Sequence, residues 1–218
     1  MARWGMVIDL KRCVDCQTCT VACKVENFTP PGVFWARVYD YEEGKYPAVT
    51  RQYLPTLCMH CQEPPCKEVC PTGATQQRED GIVFVDYDKC LGCKACTLAC
   101  PYEARFFLED ADGYFGKKGT PYESFPYELR APYQRFRAGT STKCTFCMDK
   151  IDTGLRKGLQ PGVDDEATPT CVTSCIGKAR FFGDLDDPNS EVSLLIRERR
   201  AIRLHEELGT EPSVFYLP

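Results

Sequence analysis

Sixteen cysteines, arranged in four groups of four, constrain this 218-residue chain more than any other feature. The chain also has 16 glycines and 16 prolines, which leaves fewer residues for an ordinary hydrophobic core. Only two histidines accompany the cysteines, so thiolate is the dominant potential metal ligand. Something besides an ordinary core must therefore help to hold the chain together. The four groups are Cys13, Cys16, Cys19 and Cys23; Cys58, Cys61, Cys66 and Cys70; Cys90, Cys93, Cys96 and Cys100; and Cys144, Cys147, Cys171 and Cys175.

Three uses of so many cysteines compete: disulfides in a secreted chain, zinc ribbons and iron–sulfur clusters. The opening sequence MARWGMVIDLKRC lacks the features of a secretory signal, which argues against disulfides. Zinc fits the fourth group if that group is taken alone, because 23 residues separate its C-x2-C pair from Cys171. Beside the other three groups, however, the fourth group favours an iron–sulfur cluster.

The third group has the spacing C-x2-C-x2-C-x3-C-P, which is that of the bacterial two-cluster ferredoxins. Three closely spaced cysteines wrap a loop around one cubane, and the fourth, next to Pro101, is expected to reach the neighbouring cluster. If the fourth cysteine crosses over in every group, four ligand sets follow. Cluster a is bound by Cys13, Cys16, Cys19 and Cys175; cluster b by Cys23, Cys144, Cys147 and Cys171; cluster c by Cys58, Cys61, Cys66 and Cys100; and cluster d by Cys70, Cys90, Cys93 and Cys96.

The cysteine pattern is duplicated along the chain. VIDLKRCVDCQTCTVAC (7–23) aligns with FVDYDKCLGCKACTLAC (84–100) at a constant offset of 77 residues, and Ala-Arg-Phe-Phe recurs at 104–107 and 179–182. We therefore predict an α+β fold of two bacterial-ferredoxin-like domains related by internal duplication, with irregular insertions and a C-terminal helix. The predicted ranges are 1–49 plus 143–189 for a discontinuous domain 1, 50–108 for domain 2, 109–142 for an irregular insertion, and 190–218 for the C-terminal helix and tail.

Hydrophobic patterning predicts several elements around the cysteines. Strand 4–9 should pair with 179–184, segment 74–86 should form two short strands around 79–81, and segment 36–55 should be a hairpin turning at 43–45. The two Ala-Arg-Phe-Phe segments are interpreted mainly as short core strands that also shield a cluster.

The last part of the chain and the two histidines also allow predictions. A surface helix should run over 190–209, from a Ser190 cap to Gly209. The aromatic residues of the 109–142 insertion either anchor a partner or pack on their own domain. His60 should lie next to a cluster without ligating it, and His205 should be a surface residue.

The charge of −4 gives no excess positive field for phosphate, so we expect no nucleic-acid partner. No run of 18 or more apolar residues occurs in the sequence. We therefore expect a soluble chain that has no export signal or transmembrane segment of its own and is associated with a membrane through a partner.

Four segments carry a resemblance to a known family: CMHCQEPPCKEVCPTGA, DKCLGCKACTLACPY, KCTFCMDK with CVTSCIGKARFFGDLDDPNS, and the closing LGTEPSVFYLP. Together they resemble the four-cluster electron-transfer subunit of the dimethyl sulfoxide reductase family of molybdopterin oxidoreductases, which includes polysulfide, thiosulfate and arsenate reductases. The resemblance implies four [4Fe–4S] clusters, a large catalytic partner that holds molybdopterin with Mo or W, and a role in anaerobic respiration.

The resemblance further implies that clusters a and b face the catalytic subunit, while clusters c and d face a quinone-reactive membrane subunit or another carrier. The chain would not be an enzyme by itself, and we find no acid, base or nucleophile constellation in it. It would be periplasmic by co-export with its partner, or cytoplasmic. Two alternatives are a polyferredoxin or hydrogenase-type electron-transfer subunit and, least favoured, a zinc-stabilised interaction module.

Overall fold

The computed structural model describes residues 2–109 and 135–218, which form a mixed helix and strand fold with several small sheets. The helices in these ranges are α1 (Thr18–Asn27), α2 (Pro65–Glu68), α3 (Ala95–Leu98), α4 (Met148–Arg156), α5 (Thr170–Thr173) and α6 (Glu191–Arg199). The strands are β1 (Trp4–Asp9), β2 (Arg37–Lys45), β3 (Ala48–Thr56), β4 (Thr75–Gln77), β5 (Val83–Val85), β6 (Phe106–Phe107), β7 (Ser141–Thr142), β8 (Arg180–Asp184) and β9 (Val214–Leu217). Long loops connect these short helices and strands, as closely spaced cysteine ligands require.

A three-stranded sheet in the order β8-β1-β9 joins the two ends of the chain. Strand β1 is antiparallel to β8, with Val7 opposite Phe181, which confirms the predicted pairing of 4–9 with 179–184. Strand β9 lies parallel to β1 on the other side, a pairing that the sequence did not predict. All six residues of β1 are buried because the strand is central and covered on both faces.

Two antiparallel hairpins lie outside this sheet. Strands β4 and β5 pair as predicted for segment 74–86. Strands β2 and β3 also form the predicted hairpin, but Lys45 pairs with Ala48, so the turn is Tyr46-Pro47 and not 43–45. Proline presets φ for a turn and cannot donate to a strand ladder, and it therefore places the reversal two residues later than glycine suggested.

The predicted C-terminal helix is correct at its start and wrong at its end. The Ser190 side chain accepts a hydrogen bond from the Ser193 N–H at 3.2 Å, which caps α6. The helix ends at Arg199 because Arg200 adopts a left-handed conformation with φ of 51°. Ile202 then pairs with Tyr216 of β9, and a short 3₁₀ turn occupies 206–208. The backbone thus leaves the helix to reach the sheet.

The predicted insertion 109–142 lies mostly outside the described residues. At its end, Phe136 packs edge-on against Trp35 at 5.8 Å and near Tyr87 at 6.1 Å, so this aromatic residue packs on its own chain. Strand β7 then pairs with β6, which places the first Phe-Phe segment, Phe106–Phe107, in a two-stranded sheet. No helix in the described ranges is both long and apolar enough to cross a membrane.

Contacts between the C-terminal tail and the middle of the chain join the proposed domains. The Tyr216 hydroxyl donates to the Pro55 carbonyl at 2.9 Å, and the Ser213 N–H donates to the Met59 carbonyl at 2.9 Å. One buried core cluster contains Met6 and Tyr216 together with Met59. The tail therefore holds the loop that carries the second cysteine group against the first sheet.

Candidate metal centres

All sixteen cysteines lie in the described ranges, and none forms a disulfide. All except Cys16 and Cys93 are buried or partly buried. These two cysteines are 77 residues apart and occupy the same position in the repeated sequence. Each half of the repeat therefore exposes one of its candidate ligands.

The loops of the first and third groups share a backbone feature. Gln17 and Lys94 both adopt the left-handed conformation, with φ of 57° and 61°, immediately before α1 and α3. Each helix then presents a cysteine, Cys19 or Cys96, as its second residue. A left-handed conformation costs a non-glycine residue about 1–2 kcal/mol. Its occurrence at both sites indicates that the loop shape serves what the loop encloses.

One cavity is lined by Cys58, Cys61, Cys66 and Cys100. Burial, together with the nearby Cys58, Cys66 and Cys100, raises the pKa of the Cys61 thiol to about 12, because burial and a second thiolate nearby both disfavour ionisation. Prolines beside the cysteines complete an apolar wall, and Arg105 is a cation in the lining. The structure thus brings together the four residues predicted for cluster c.

A second cavity is lined by Cys70, Cys90, Cys93 and Cys96, the four residues predicted for cluster d. The Thr75 N–H donates to Cys70 Sγ at 3.4 Å. Burial alone would raise the pKa of Cys70, but hydrogen bonds from Thr75 and its neighbours outweigh burial and lower it. Backbone donors therefore favour the ionised sulfur at this position.

Cys23 lies near Cys144, Cys147 and Cys171, the other residues predicted for cluster b. Its thiol pKa is raised well above the ordinary value by burial and then by these three thiols. The Asn27 amide donates to Cys23 Sγ at 3.5 Å and to Cys147 Sγ at 3.8 Å. One side chain therefore contacts sulfurs from two sequence groups.

For cluster a, the structure brings Cys13 near Cys19 and Cys175. Burial raises the pKa of Cys13, and the thiols of Cys19 and Cys175 add to the rise. Cys16 lies at the exposed edge, and hydrogen bonds from Thr18 lower its thiol pKa. Three of the predicted ligands thus face one another, with Cys16 on the solvent side.

Contacts between the groups place them in the order a, b, c, d. Burial and then Cys171 raise the pKa of Cys144, and Cys58 from group two raises it next. Cys19 similarly lies near Cys171. Arg105 lines the cavity predicted for cluster c and interacts also with a thiol of the set predicted for cluster d. Sets a and b, b and c, and c and d are therefore neighbours, and we call this order of sets the row of thiol groups.

The donor set fits cubane clusters. Within residues 2–109 and 135–218, no three His, Cys, Asp or Glu side chains converge tightly enough to hold one metal ion. The thiols of sets c and d instead line cavities, as required when each sulfur binds a different iron atom of a cubane. Soft thiolate ligands and N–H groups directed at sulfur suit iron–sulfur clusters, which accept and donate single electrons when bound.

The two histidines occupy different environments, and the surface position predicted for His205 is confirmed. His60 is fully buried beside the cavity predicted for cluster c, but its Nδ1 accepts a hydrogen bond from the Val83 N–H at 3.1 Å. The His60 ring stacks on Phe146 with the ring centroids 3.8 Å apart, so the side chain is packed in the core next to the second cysteine group. His205 is exposed and contacts Glu207.

Three buried basic residues lie close to the candidate ligands, and sequence reasoning missed the burial of the two arginines among them. Lys143 is 1% exposed, and its ammonium donates to the Val83 and Cys144 carbonyls. Arg105 and Arg180 are also buried and donate to cysteine sulfur. The recurrence of Arg in the two Ala-Arg-Phe-Phe segments is the available signal for the arginines, but the interpretation of these segments as core strands that also shield a cluster gives the arginine side chains no role of their own.

The cysteine-lined cavities and small sheets define the class as an iron–sulfur protein with a ferredoxin-like fold, and sequence comparisons agree. The family profile described as "4Fe-4S dicluster domain" matches residues 49–117. A selenate reductase subunit of Mesobacillus selenatarsenatis is 46% identical over 225 residues, covering 99% of this chain and 72% of the relative.

Two further relatives have the same pattern of coverage. A tetrathionate reductase subunit of Salmonella typhimurium is 42% identical over 220 residues, covering 99% of this chain and 72% of the relative. A putative dimethyl sulfoxide reductase iron–sulfur subunit of Halobacterium salinarum is 40% identical over 230 residues, covering 100% of this chain and 79% of the relative. The chain belongs to the iron–sulfur electron-transfer subunits of the dimethyl sulfoxide reductase family of molybdopterin oxidoreductases, and it is not the catalytic subunit.

Proposed function

We propose that the chain binds four [4Fe–4S] clusters and relays single electrons between a molybdopterin catalytic subunit and a quinone-linked or other redox partner. The proposed ligand sets are those predicted from the sequence. Cluster a uses Cys13, Cys16, Cys19 and Cys175; cluster b uses Cys23, Cys144, Cys147 and Cys171; cluster c uses Cys58, Cys61, Cys66 and Cys100; and cluster d uses Cys70, Cys90, Cys93 and Cys96.

The row of thiol groups carries this proposal. Its two exposed cysteines, Cys16 and Cys93, belong to the outermost sets a and d, and all four cysteines of set b are buried. A relay needs an accessible site at each end and a protected interior, because water and small oxidants would otherwise intercept the electrons. The exposure pattern supports entry at one end and exit at the other.

Apolar side chains surround both exposed ends. Val14 and Val21 flank Cys16, and Leu91 and Leu98 occupy the equivalent positions beside Cys93; all four side chains are more than half exposed. Exposed apolar groups beside a redox site suit docking of another protein, which also excludes water. We propose that the end at cluster a faces the catalytic subunit and that the end at cluster d faces the quinone-linked partner.

The proposed duplication is supported by matched ion pairs. Asp9 and Arg12 approach to 3.5 Å just before the first group, and Asp86 and Lys89 approach to 3.1 Å just before the third. We propose the domain boundaries predicted from the repeat: 1–49 with 143–189, 50–108, 109–142 and 190–218. In this division the second unit is inserted into the first.

Substrate chemistry belongs to the partner that holds molybdopterin with Mo or W. The relatives are named for selenate, tetrathionate and dimethyl sulfoxide reductases, so similar chains serve different reductases. We propose that this chain reaches its partner as a folded unit, in the periplasm by co-export or in the cytoplasm, and that a partner provides any membrane attachment. Co-purification with a much larger molybdopterin subunit tests that association.

Two cysteines on one helix provide a sharp test of the ligand sets. Cys19 and Cys23 lie one turn apart on α1, but they are assigned to clusters a and b. Cys23→Ser and Cys171→Ser should abolish the same signal in electron paramagnetic resonance spectra of the reduced protein, whereas Cys19→Ser should abolish a different one. The intact chain should contain about sixteen iron atoms, and each variant about four fewer.

Loss of the same signal in Cys19→Ser and Cys23→Ser would reject the crossed ligand sets and assign one cluster to each sequence group. Zinc in place of iron and acid-labile sulfide, with no broad visible absorption, would select the interaction module. A stable monomer that exchanges electrons with soluble donors and binds no large subunit would select the polyferredoxin.

A further inference from the structure

Two buried arginines occupy equivalent positions in the two halves of the protein. Arg105 follows Ala104 and Arg180 follows Ala179 in the repeated Ala-Arg-Phe-Phe segment. Their exposed fractions are 4% and 5%. Neither guanidinium forms a salt bridge with a carboxylate in the part of the chain that the structure describes. A buried cation without a counter-charge costs several kcal/mol, so these positions require a negative partner.

Cysteine sulfur is the partner that the structure provides for Arg105. Its Nη2 donates to Cys66 Sγ at 3.0 Å, and its Nη1 donates to Thr75 Oγ1 at 3.1 Å. Burial alone lowers the pKa of Arg105, but the thiolates of Cys66, Cys96 and Cys58 raise it above the ordinary value. Cys58 and Cys66 belong to proposed cluster c and Cys96 to cluster d. Arg105 therefore contacts the set c sulfurs directly and interacts electrostatically with set d.

Arg180 makes the corresponding contacts in the other half. Its Nη2 donates to Cys19 Sγ at 3.5 Å, and its Nη1 lies 4.0 Å from Cys171 Sγ. Burial lowers its pKa, and the thiolates of Cys171, Cys19 and Cys175 more than compensate, so the pKa is raised. Cys19 and Cys175 belong to proposed cluster a, and Cys171 belongs to cluster b. This arginine lies between two ligand sets.

A fixed cation beside a redox centre affects its two oxidation states unequally. Reduction adds one negative charge to the centre, and both the nearby positive charge and the N–H···S hydrogen bonds stabilise that charge. The interaction is strong at a buried site because little water screens it. A buried arginine at this position therefore raises the reduction potential of the centre whose ligands it contacts.

We propose that Arg105 and Arg180 are duplicated potential-setting residues, each of which holds one positive charge near the two clusters of its own domain. This inference rests on the proposed ligand sets. The closer sulfur contacts are with Cys66 of cluster c and Cys19 of cluster a. Removal of either charge should therefore affect cluster c or a most, its domain partner less, and the other domain least.

The test is a redox titration of the complete, anaerobically purified protein, monitored by electron paramagnetic resonance. The variants compared with the unchanged protein are Arg105→Gln, Arg180→Gln, Arg105→Lys and Arg180→Lys. Each glutamine variant should shift the reduction equilibrium of the nearest cluster about tenfold toward the oxidised form. For a one-electron couple, this shift lowers the reduction potential of that cluster by about 59 mV. Lysine keeps the charge but loses the forked donor geometry, so its shift should be smaller.

Arg78→Gln is the matched control. Arg78 is a partly buried arginine that donates to Asp152 at 2.6 Å and 2.9 Å and contacts Asp80 at 2.8 Å. Its loss should lower stability and leave the potentials almost unchanged, because its side chain is 29% exposed, so that water screens the charge, and its hydrogen bonds in the described residues go to carboxylates and not to cysteine sulfur. Iron and sulfide contents are measured for every variant, so that lost clusters are distinguished from shifted potentials.

Unchanged potentials in fully loaded Arg105→Gln and Arg180→Gln would overturn the proposal. Loss of iron in both the glutamine and the lysine variant at a site would also reject it, because the arginine would then be needed for cluster retention. A shift of the expected size in the wrong pair of clusters would instead reject the ligand sets and keep the arginines as potential-setting residues.

Discussion

Asp9 shows how a single buried charge connects the ends of the chain. The residue is 2% exposed, and its Oδ2 lies 2.6 Å from Arg199 Nη1 and 3.5 Å from Arg12 Nε. Its Oδ1 accepts a hydrogen bond from the Lys11 N–H at 3.1 Å. Because Asp9 ends β1 and Arg199 ends α6, this pair anchors the last turn of the helix to the central strand.

Arg199→Ala should destabilise the protein because it removes the closest partner of a buried carboxylate. We expect a loss of about 1–2 kcal/mol, since Arg12 stays nearby and Arg199 itself is 38% exposed. For a chain of this length, that loss lowers the midpoint of thermal cluster bleaching by about 2–8 °C. Arg197→Ala on the same helix is the control, since Arg197 is exposed. Equal midpoints in the two variants would show that the pair contributes nothing.

At the scale of secondary-structure elements, β9 connects the first sheet to other parts of the chain. Its four residues are buried, and it pairs with β1 along its length. Tyr216 is fully buried and exchanges two backbone hydrogen bonds with Ile202. Its hydroxyl donates a hydrogen bond to the Pro55 carbonyl at 2.9 Å. The strand thus joins three separate segments of the chain.

Two substitutions at Tyr216 separate the contribution of the ring to stability from the contribution of the hydroxyl. Tyr216→Phe leaves the Pro55 carbonyl without this donor and should lower the free energy of unfolding by about 1 kcal/mol. Tyr216→Ala also removes a buried ring and should cost about 3–5 kcal/mol. Tyr46→Ala is the control because Tyr46 is 93% exposed. The thermal bleaching midpoint should fall in that order, and a Tyr216→Ala midpoint equal to that of the control would contradict the docked strand.

The same elements show what the sequence could predict. The β4–β5 hairpin depends on nearby residues, and the β1–β8 pairing follows from the repeat, so both were predictable. The parallel pairing of β9 with β1 joins segments about 200 residues apart, and no local pattern encodes it. The hairpin turn and the end of α6 differ from prediction because Pro47 and the left-handed Arg200 override the glycine signals.

Candidate ligands were more predictable than the residues that support them. Cysteine spacing is itself a geometric requirement of cluster binding, so all sixteen cysteines were identified directly. Arg105 and Arg180 were not, because an arginine in a short aromatic strand is usually at the surface, and only folding shows that its guanidinium turns toward sulfur.

At the scale of the whole molecule, exposure varies along the row of thiol groups. Sets a and d include the exposed Cys16 and Cys93, whereas every cysteine of set b is buried. An attacking solute reaches a cluster through its exposed ligand, so the ends of the row should be the most vulnerable positions.

Limited anaerobic treatment with ferricyanide should therefore remove the end clusters first. The spectroscopic signals abolished by Cys16→Ser and Cys93→Ser should decay before the signal abolished by Cys144→Ser. Earlier decay of the Cys144-dependent signal in folded protein would contradict the buried position of set b.

The joining of both chain ends in one sheet has a consequence for biosynthesis. Strand β1 leaves the ribosome first, but its neighbours β8 and β9 come from residues 180–184 and 214–217. The segment from Cys58 to Cys100 is also synthesised well before either neighbour of β1. A prematurely terminated chain therefore leaves β1 unpaired and open to proteases, and only a completely translated protein closes its first sheet.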